Sequence, residues 1–381
     1  MKLRYFDHAA TTKINEDVFK EMLPYLSNEY GNPSSAYSLG RNSKRAIETA
    51  RKRVAKLIGA KPNEIYFTSC GSESDNTALR GIAYARKNKG NHIITSKIEH
   101  PAILETCKSL EKEGFSVTYL NVDENGFINI NELLNSITPQ TILISIMFAN
   151  NEIGTIQPIN EISQIAKSHN IVFHTDAVQA VGNVEINVNS MGIDMLSLSG
   201  HKVYAPKGVG ALYVREGIEF EKFMNGGHQE RNKRSGTENV ASIIGLGKAC
   251  EICFNNFDNI YSKNLFLRNY FIEQITKFIH DFKINGSLEK RLPGNCNVSF
   301  KNINASNLLL KLDNYGICAS AGSACSTGQA SPSHVLTAIG LPPSLAFGAL
   351  RVTFGMDNTK DDVDFLISAL AKSINELRNS N

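Results

Sequence analysis

Residues 194–214 read Asp-Met-Leu-Ser-Leu-Ser-Gly-His-Lys-Val-Tyr-Ala-Pro-Lys-Gly-Val-Gly-Ala-Leu-Tyr-Val. The stretch predicts a buried strand over 195–198, a glycine-bearing loop that carries Lys202, and a second strand over 210–214. The same pattern recurs on the N-terminal side. Residues 65–68, 92–95, 115–120 and 171–174 read as short strands, and 141–148 is nearly continuous apolar sequence, as a strand buried on both faces requires. Helical apolar spacing fills 73–87, a segment opening at Pro101, and 161–168. This alternation predicts an α/β fold, a mostly parallel sheet flanked by helices. Ligands of such sheets lie beyond the carboxyl ends of the strands. The polar clusters fall there: Cys70-Gly71-Ser72, Glu99-His100, Asn150-Asn151, Thr175-Asp176 and Ser199-Gly200-His201-Lys202.

Past about residue 245 the character changes. Helices are predicted over 243–254 and 261–278, a short strand over 297–300, a helix over 305–312 and a last amphipathic helix over 361–378. The expected organisation is a large domain over residues 15–256 and a smaller α+β domain built from 1–14 and 257–381, a division that 381 residues accommodate. A net charge of +3 provides no clustered basic face for nucleic acid. No apolar run is long enough to span a bilayer, and the first residues lack an export signal. Seven scattered cysteines suit free thiols in a reducing compartment. A cytoplasmic enzyme with neither a stable nucleic-acid partner nor a membrane partner is expected.

A lysine just past a buried strand can form a Schiff base with an aldehyde cofactor. The plain alternative is a surface lysine in a strand-to-strand loop. The other strand ends favour the first reading. Pyridoxal 5'-phosphate needs an acid beside its ring nitrogen, a ring covering its face, and backbone amides with hydroxyls at a helix start for its phosphate. Asp176 is placed to be the acid, and Gln179, three residues on, can bond the ring hydroxyl. His100 can cover the ring, and Gly71-Ser72 open a helix. Each has an ordinary explanation alone: Asp176 as a helix cap, Ser72 as an N-cap, His100 as a satisfied core histidine. Their succession on separate strand ends carries the cofactor reading.

Further motifs extend the pattern along the chain: Phe6-Asp7-His8-Ala9-Ala10-Thr11-Thr12, Gly31-Asn32-Pro33-Ser34-Ser35, and Phe67-Thr68-Ser69-Cys70-Gly71-Ser72-Glu73-Ser74-Asp75-Asn76. Asn150-Asn151-Glu152-Ile153-Gly154, His174-Thr175-Asp176-Ala177-Val178-Gln179, Gly226-Gly227-His228-Gln229-Glu230-Arg231, Arg234-Ser235-Gly236-Thr237-Glu238-Asn239 and Ser320-Ala321-Gly322-Ser323-Ala324-Cys325-Ser326 follow. From about residue 5 to about residue 357, the chain resembles the NifS/IscS-type cysteine desulfurases, within the aminotransferase-like fold of pyridoxal-phosphate enzymes. The stretch from Cys325 to His334 is similar to the long-loop group. Gly71-Ser72 stand where Ala-Thr is common, which keeps the hydroxyl, and His8 and His228 also depart from the usual pattern.

The resemblance implies that Lys202 holds the cofactor and moves protons. Asp176 would pair with the ring nitrogen and Gln179 with the ring oxygen, while His100 stacks on the ring and joins the acid–base steps. Gly71, Ser72, Ser199 and His201 would hold the phosphate, with Thr237 reaching across from the second subunit of a homodimer. Asn151 would border ring and substrate, and Asn32 and Arg351 would bind the carboxylate of L-cysteine, a task suited to a guanidinium fork. Cys325 would take the sulfur as a persulfide, releasing L-alanine. An acceptor such as an iron–sulfur scaffold or a tRNA or DNA thiolation pathway would then receive it. No resident metal is expected, only transient ligation by Cys325 of a scaffold partner's cluster.

A free thiol has a pKa near ~8.5, so Cys325 needs cationic neighbours, and His100 and Arg351 are the candidates. The segment around it is composed of glycine and small residues, as a mobile loop delivering sulfur would be; an ordinary turn is the plain alternative. Cys250-x-x-Cys253 reads as helix core, and Cys70, Cys107, Cys296 and Cys318 as small buried hydrophobes. The rival functions are a selenocysteine lyase, a small-amino-acid aminotransferase, and a non-catalytic partner-binding subunit. An aminotransferase has no use for Cys325, and a non-catalytic subunit none for Lys202, Asp176 and Cys325 together.

Overall fold

The computed structural model describes residues 2–321 and 332–379. Its strands are β1 Arg4–Tyr5, β2 Ile65–Thr68, β3 His92–Ser96, β4 Ser116–Leu120, β5 Thr141–Ser145 and β6 Val172–Asp176. They continue with β7 Met195–Ser199, β8 Gly210–Val214, β9 Phe282–Asn285, β10 Asn295–Phe300, β11 Ile317–Cys318 and β12 Ala349–Thr353. Strands β2 to β8 form one sheet in the order β2-β8-β7-β6-β5-β3-β4. The pairings from β4 through β7 are parallel, as expected. Strand β8 runs antiparallel to both β7 and β2. The reason is length: residues 200–209 are too few for the helical crossover that a parallel return requires. Lys202 therefore sits on a tight reversal, in a short 3₁₀ turn, Gly200–Lys202.

Strands β3, β5, β6, β7 and β8 are buried at every position, which explains their unbroken apolar or small-polar sequences. One face of the sheet packs on Val18, Ile47, Val54 and Leu246, the other on Leu79, Ile82, Ile103 and Leu110. The strand predicted over 141–148 leaves the ladder after Ser145. Its continuation stays buried, with Ile146 N donating to His174 O and Phe148 N to Asp176 O. The helix predicted over 73–87 begins earlier, at Gly71 (Gly71–Ala85).

The later part of the chain forms an antiparallel sheet, β12-β10-β9. Helices Phe257–Phe278 and Lys360–Asn379 contribute Phe271, Leu366 and Leu370 to the core that also holds Val298, Phe300 and Val352. Phe6 belongs to this core, and β1 pairs in parallel with β11. Cys250 and Cys253 are buried on the helix Val240–Asn255. Cys107 and Cys296 are buried as expected, but Cys70 and Cys318 are only half-buried. Cys70 caps the helix start that faces the strand ends, and Cys318 lies on a two-residue strand, so neither is enclosed by a core. No described helix is long and apolar enough to cross a membrane.

Candidate active site

Each long apolar strand stops where polar residues begin, and the stops line one end of the sheet. Asp176 is the last residue of β6 and Ser199 the last of β7. Lys202 Nζ donates to the carbonyls of Ala9 and Ala10, the latter at 2.6 Å. Gln179 Nε2 donates to the same Ala9 carbonyl at 3.0 Å, so amine and amide converge. The N-terminal segment is laced onto the lysine turn: Thr12 Oγ1 donates to His201 O at 2.9 Å and accepts from Tyr204 N at 2.8 Å. A cavity opens beside Lys202, lined also by His8, Ala9, Thr12, Gln179 and Tyr204.

Asp176 is buried and accepts from Val178 N at 2.9 Å. Burial raises its carboxyl above the usual range, while His100 and Lys202 pull it back down. His100 Nδ1 accepts from Ala102 N at 3.1 Å, capping the helix Pro101–Lys112 and leaving the ring proton to Nε2. Burial pushes the imidazole below its ordinary value, so His100 is neutral at pH 7. Cys325 itself lies outside the described residues.

A buried polar chain stands behind Asp176. His174 Nδ1 bonds Ser145 Oγ at 2.9 Å, and its Nε2 bonds Ser197 Oγ at 3.0 Å and lies 3.8 Å from Asp75 Oδ1. Burial holds His174 neutral, at about 3. Burial, and then the charge of Asp176, pushes the Asp75 carboxyl well above the usual range. Glu99 follows the same logic. Its Oε1 accepts from Ser96 Oγ at 2.6 Å and from Met147 N at 2.9 Å, yet burial raises it to about 8.

Gly71 opens its helix against β6 and β7. A Cβ there would lie 2.7 Å from Val178 Cγ2 and 3.5 Å from Ser199 Cβ, so only glycine leaves that corner open. Ser72 is exposed in the first turn. His201 is half-buried beside Thr11, with Nδ1 at 3.2 Å from Oγ1, and burial holds it neutral at about 4. Glu73 is bound by Arg234 Nε at 2.8 Å, which ties the loop bearing exposed Thr237 to this helix start within one chain.

Arg351, expected to read a carboxylate, is 1% exposed. Its Nη2 pairs with Asp7 Oδ1 at 2.9 Å and its Nη1 donates to Asn151 O at 3.2 Å, so Asn151 joins it through the backbone. Its buried Nε has no hydrogen-bond acceptor among the described residues. No hydrogen bond joins Asn32 to Arg351 among the described residues. Asn32 is exposed with Oδ1 accepting from Ser34 N, and its neighbours Pro33 and Ser34 line a second cleft with Arg51, Glu230 and Arg231. That bond ties the asparagine oxygen to its own short turn. Sequence reasoning gave no role to Asp7, Asp75, Glu99 or Glu152. All four lie inside quoted motifs, but nothing local distinguishes them from solvated acids.

The donors and acceptors fit pyridoxal phosphate. An anion ends one strand, an amine turns at the next, a neutral imidazole caps the third, and a glycine-opened helix start lies between.

The profile of class-V aminotransferases matches residues 4–366. A cysteine desulfurase IscS of Clostridium botulinum is 52% identical over 376 residues, covering 98% of this chain and 95% of that protein. Among solved structures, a NifS-like protein aligns with a TM-score of 0.92 at 37% identity, over 98% of this chain and 100% of that one. A structure titled SspA in complex with cysteine aligns with a TM-score of 0.83 at 40% identity, over 92% of this chain and 99% of that one.

Proposed function

The chain belongs to the class-V aminotransferase family and is a pyridoxal-phosphate-dependent cysteine desulfurase; on that premise we propose that Lys202 carries the cofactor and Cys325 takes the sulfur from L-cysteine. The observation that supports the cofactor half is the meeting of Lys202 and Gln179 on one carbonyl, with buried Asp176 and neutral His100 at neighbouring strand ends. Bound pyridoxal phosphate supplies an electron sink that weakens the bonds at the α- and β-carbons of the amino acid.

The chain's own residues do the rest. Asp176 pairs with the ring nitrogen, and the nearby His100 and Lys202 favour its negative charge. Gly71, Ser72, Ser199 and His201 hold the phosphate with amides and hydroxyls, and Gln179 meets the ring oxygen. Asn151 borders the ring. Arg351 binds the substrate carboxylate with donors that Asp7 and Asn151 leave over, and Asn32 assists from its own loop. Lys202 Nζ takes the α-proton and returns it at the product stage. His100 Nε2, protonated and uncharged, moves a proton at the substrate sulfur and the β-carbon. The thiolate of Cys325 attacks that sulfur, an S–S bond forms as the C–S bond breaks, and the carbon gains a proton to give L-alanine.

The reading extends to a cytoplasmic homodimer, with Thr237 serving the partner's phosphate site and an iron–sulfur scaffold or a thiolation enzyme accepting the sulfur. The exposure of Thr237 and the IscS relative support it. The division into residues 15–256 and 1–14 with 257–381 is supported by Phe6 sharing a core with the C-terminal strands.

The deciding experiment is turnover of L-cysteine with a reductant by the yellow holoenzyme. Sulfide and alanine should appear in equal amounts, and Cys325→Ala should abolish both. Full alanine production by Cys325→Ala would show C–S cleavage without that thiol, as in a lyase that uses no cysteine nucleophile, and end the proposal.

A further inference from the structure

The segment that carries Cys325 leaves the described residues at Ala321 and returns at Pro332, and a short serine bond marks each stem. On the incoming stem Ser320 Oγ donates to Asp7 Oδ2 at 2.6 Å, and Arg351 N donates to Ser320 O at 2.7 Å. On the returning stem Ser333 Oγ donates to Glu152 Oε2 at 2.6 Å. The next residue, His334, meets Glu99 O through Nε2 at 3.0 Å, just before His100. One guanidinium reaches both anchors: Asp7 Oδ1 lies 2.9 Å from Arg351 Nη2, and Arg351 Nη1 donates to the carbonyl of Asn151, the residue before Glu152, at 3.2 Å.

The arrangement exceeds what loop anchoring needs. Surface stems are ordinarily held by backbone turns or water. Here two buried or half-buried carboxylates, from residues 7 and 152, are committed to serines 313 and 181 positions away. Arg351 meanwhile keeps a sealed Nε without an acceptor among the described residues, a donor left for an incoming carboxylate.

The geometry points to Asp7 and Glu152 as positioning residues that fix both stems of the Cys325 segment onto Arg351, so that the side chain reading the substrate carboxylate also sets where the thiol segment begins and ends. This rests on the roles given above to Arg351 and Cys325. The benefit is registration. Sulfur transfer needs nucleophile and target aligned closely, and a displacement of ~1 Å can cost ~10²-fold. A frame shared with the carboxylate clamp keeps that distance independent of motions elsewhere.

Ser320→Ala removes the bond to Asp7, Ser333→Ala removes the bond to Glu152 together with the cap of the helix His334–Ala338, and both leave Lys202, Arg351 and Cys325 in place. Two quantities separate positioning from general damage: the L-alanine Kd, read from the absorbance change of the holoenzyme, and the single-turnover rate of persulfide formation on Cys325 with L-cysteine, read by mass spectrometry. Both serine variants should hold the L-alanine Kd within about twofold of wild type and slow persulfide formation about tenfold, with Ser333→Thr restoring the rate. Asp7→Asn, which also touches Arg351, should weaken L-alanine binding and slow transfer together. Wild-type transfer in both serine variants overturns the inference, and so does a parallel loss of affinity and rate in them. Cys325→Ala, run alongside, isolates the underlying assignment: if it still makes alanine at full rate, the role of Cys325 has failed rather than the stems.

Discussion

Glu99 is the residue whose chemistry departs furthest from its sequence. Burial places its folded pKa at about 8, against an ordinary 4.5. An acid with a raised folded value is protonated in both states below pH ~4.5, so it costs nothing there. Between that pH and 8 the unfolded chain ionises first and folded stability falls; above 8 the loss is complete, on the order of 5 kcal/mol. Glu99→Gln keeps the shape and removes the titration. Calorimetry at pH 5 and pH 8 should show a smaller drop in Tm for this variant than for wild type. An identical drop would mean that Glu99 is already ionised in the folded protein. Lys202, Asp176 and Gln179 were legible from the sequence because each follows a recognisable strand. Asp7 was not, since its meaning comes from Ser320 and Arg351, 313 and 344 positions away. Asn32 is recognisable by its motif, and its Oδ1 accepts from Ser34 N within its own turn.

At the scale of elements, the loop before the helix Val240–Asn255 shows how a strained backbone is held. Glu230, Arg231 and Asn232 all have positive φ, of 46°, 55° and 63°. Side-chain anchoring offsets that strain. The Glu230 carboxylate takes a fork from Arg51 at 2.7 and 2.8 Å and the Phe67 amide at 2.9 Å, all buried. Removing one partner of such a pair strands the other in a dry site. Glu230→Ala should therefore lower unfolding free energy by ~3–5 kcal/mol in urea titration. It should also weaken cofactor retention, because Arg234 and Thr237 hang from the same loop. A loss under ~1 kcal/mol would show that water replaces the carboxylate. Sequence periodicity found the buried strands, since apolar runs report burial directly. It missed the reversal of β8, which loop length fixes, and this strained loop, which no periodicity marks.

For the molecule as a whole, the α/β class was legible from strand and helix alternation, but the way the two ends of the chain meet was only inferred. Subunit exchange tests the assembly. If Thr237 serves the neighbouring chain, mixing Lys202→Ala with Thr237→Ala protein regenerates one intact site per mixed pair. Activity should then rise well above that of either variant alone. No recovery after confirmed exchange would assign Thr237 to its own chain. The pairing of β1 with β11, Arg4 beside Ile317, has a consequence for biosynthesis. Arg4 and Tyr5 must wait for more than three hundred later residues to leave the ribosome before their strand finds its neighbour. The carbonyls that meet Lys202 lie just beyond that strand. Vitamin loading is thus expected to be a late event on a nearly finished chain, and a bulky tag at the start of the protein should delay it.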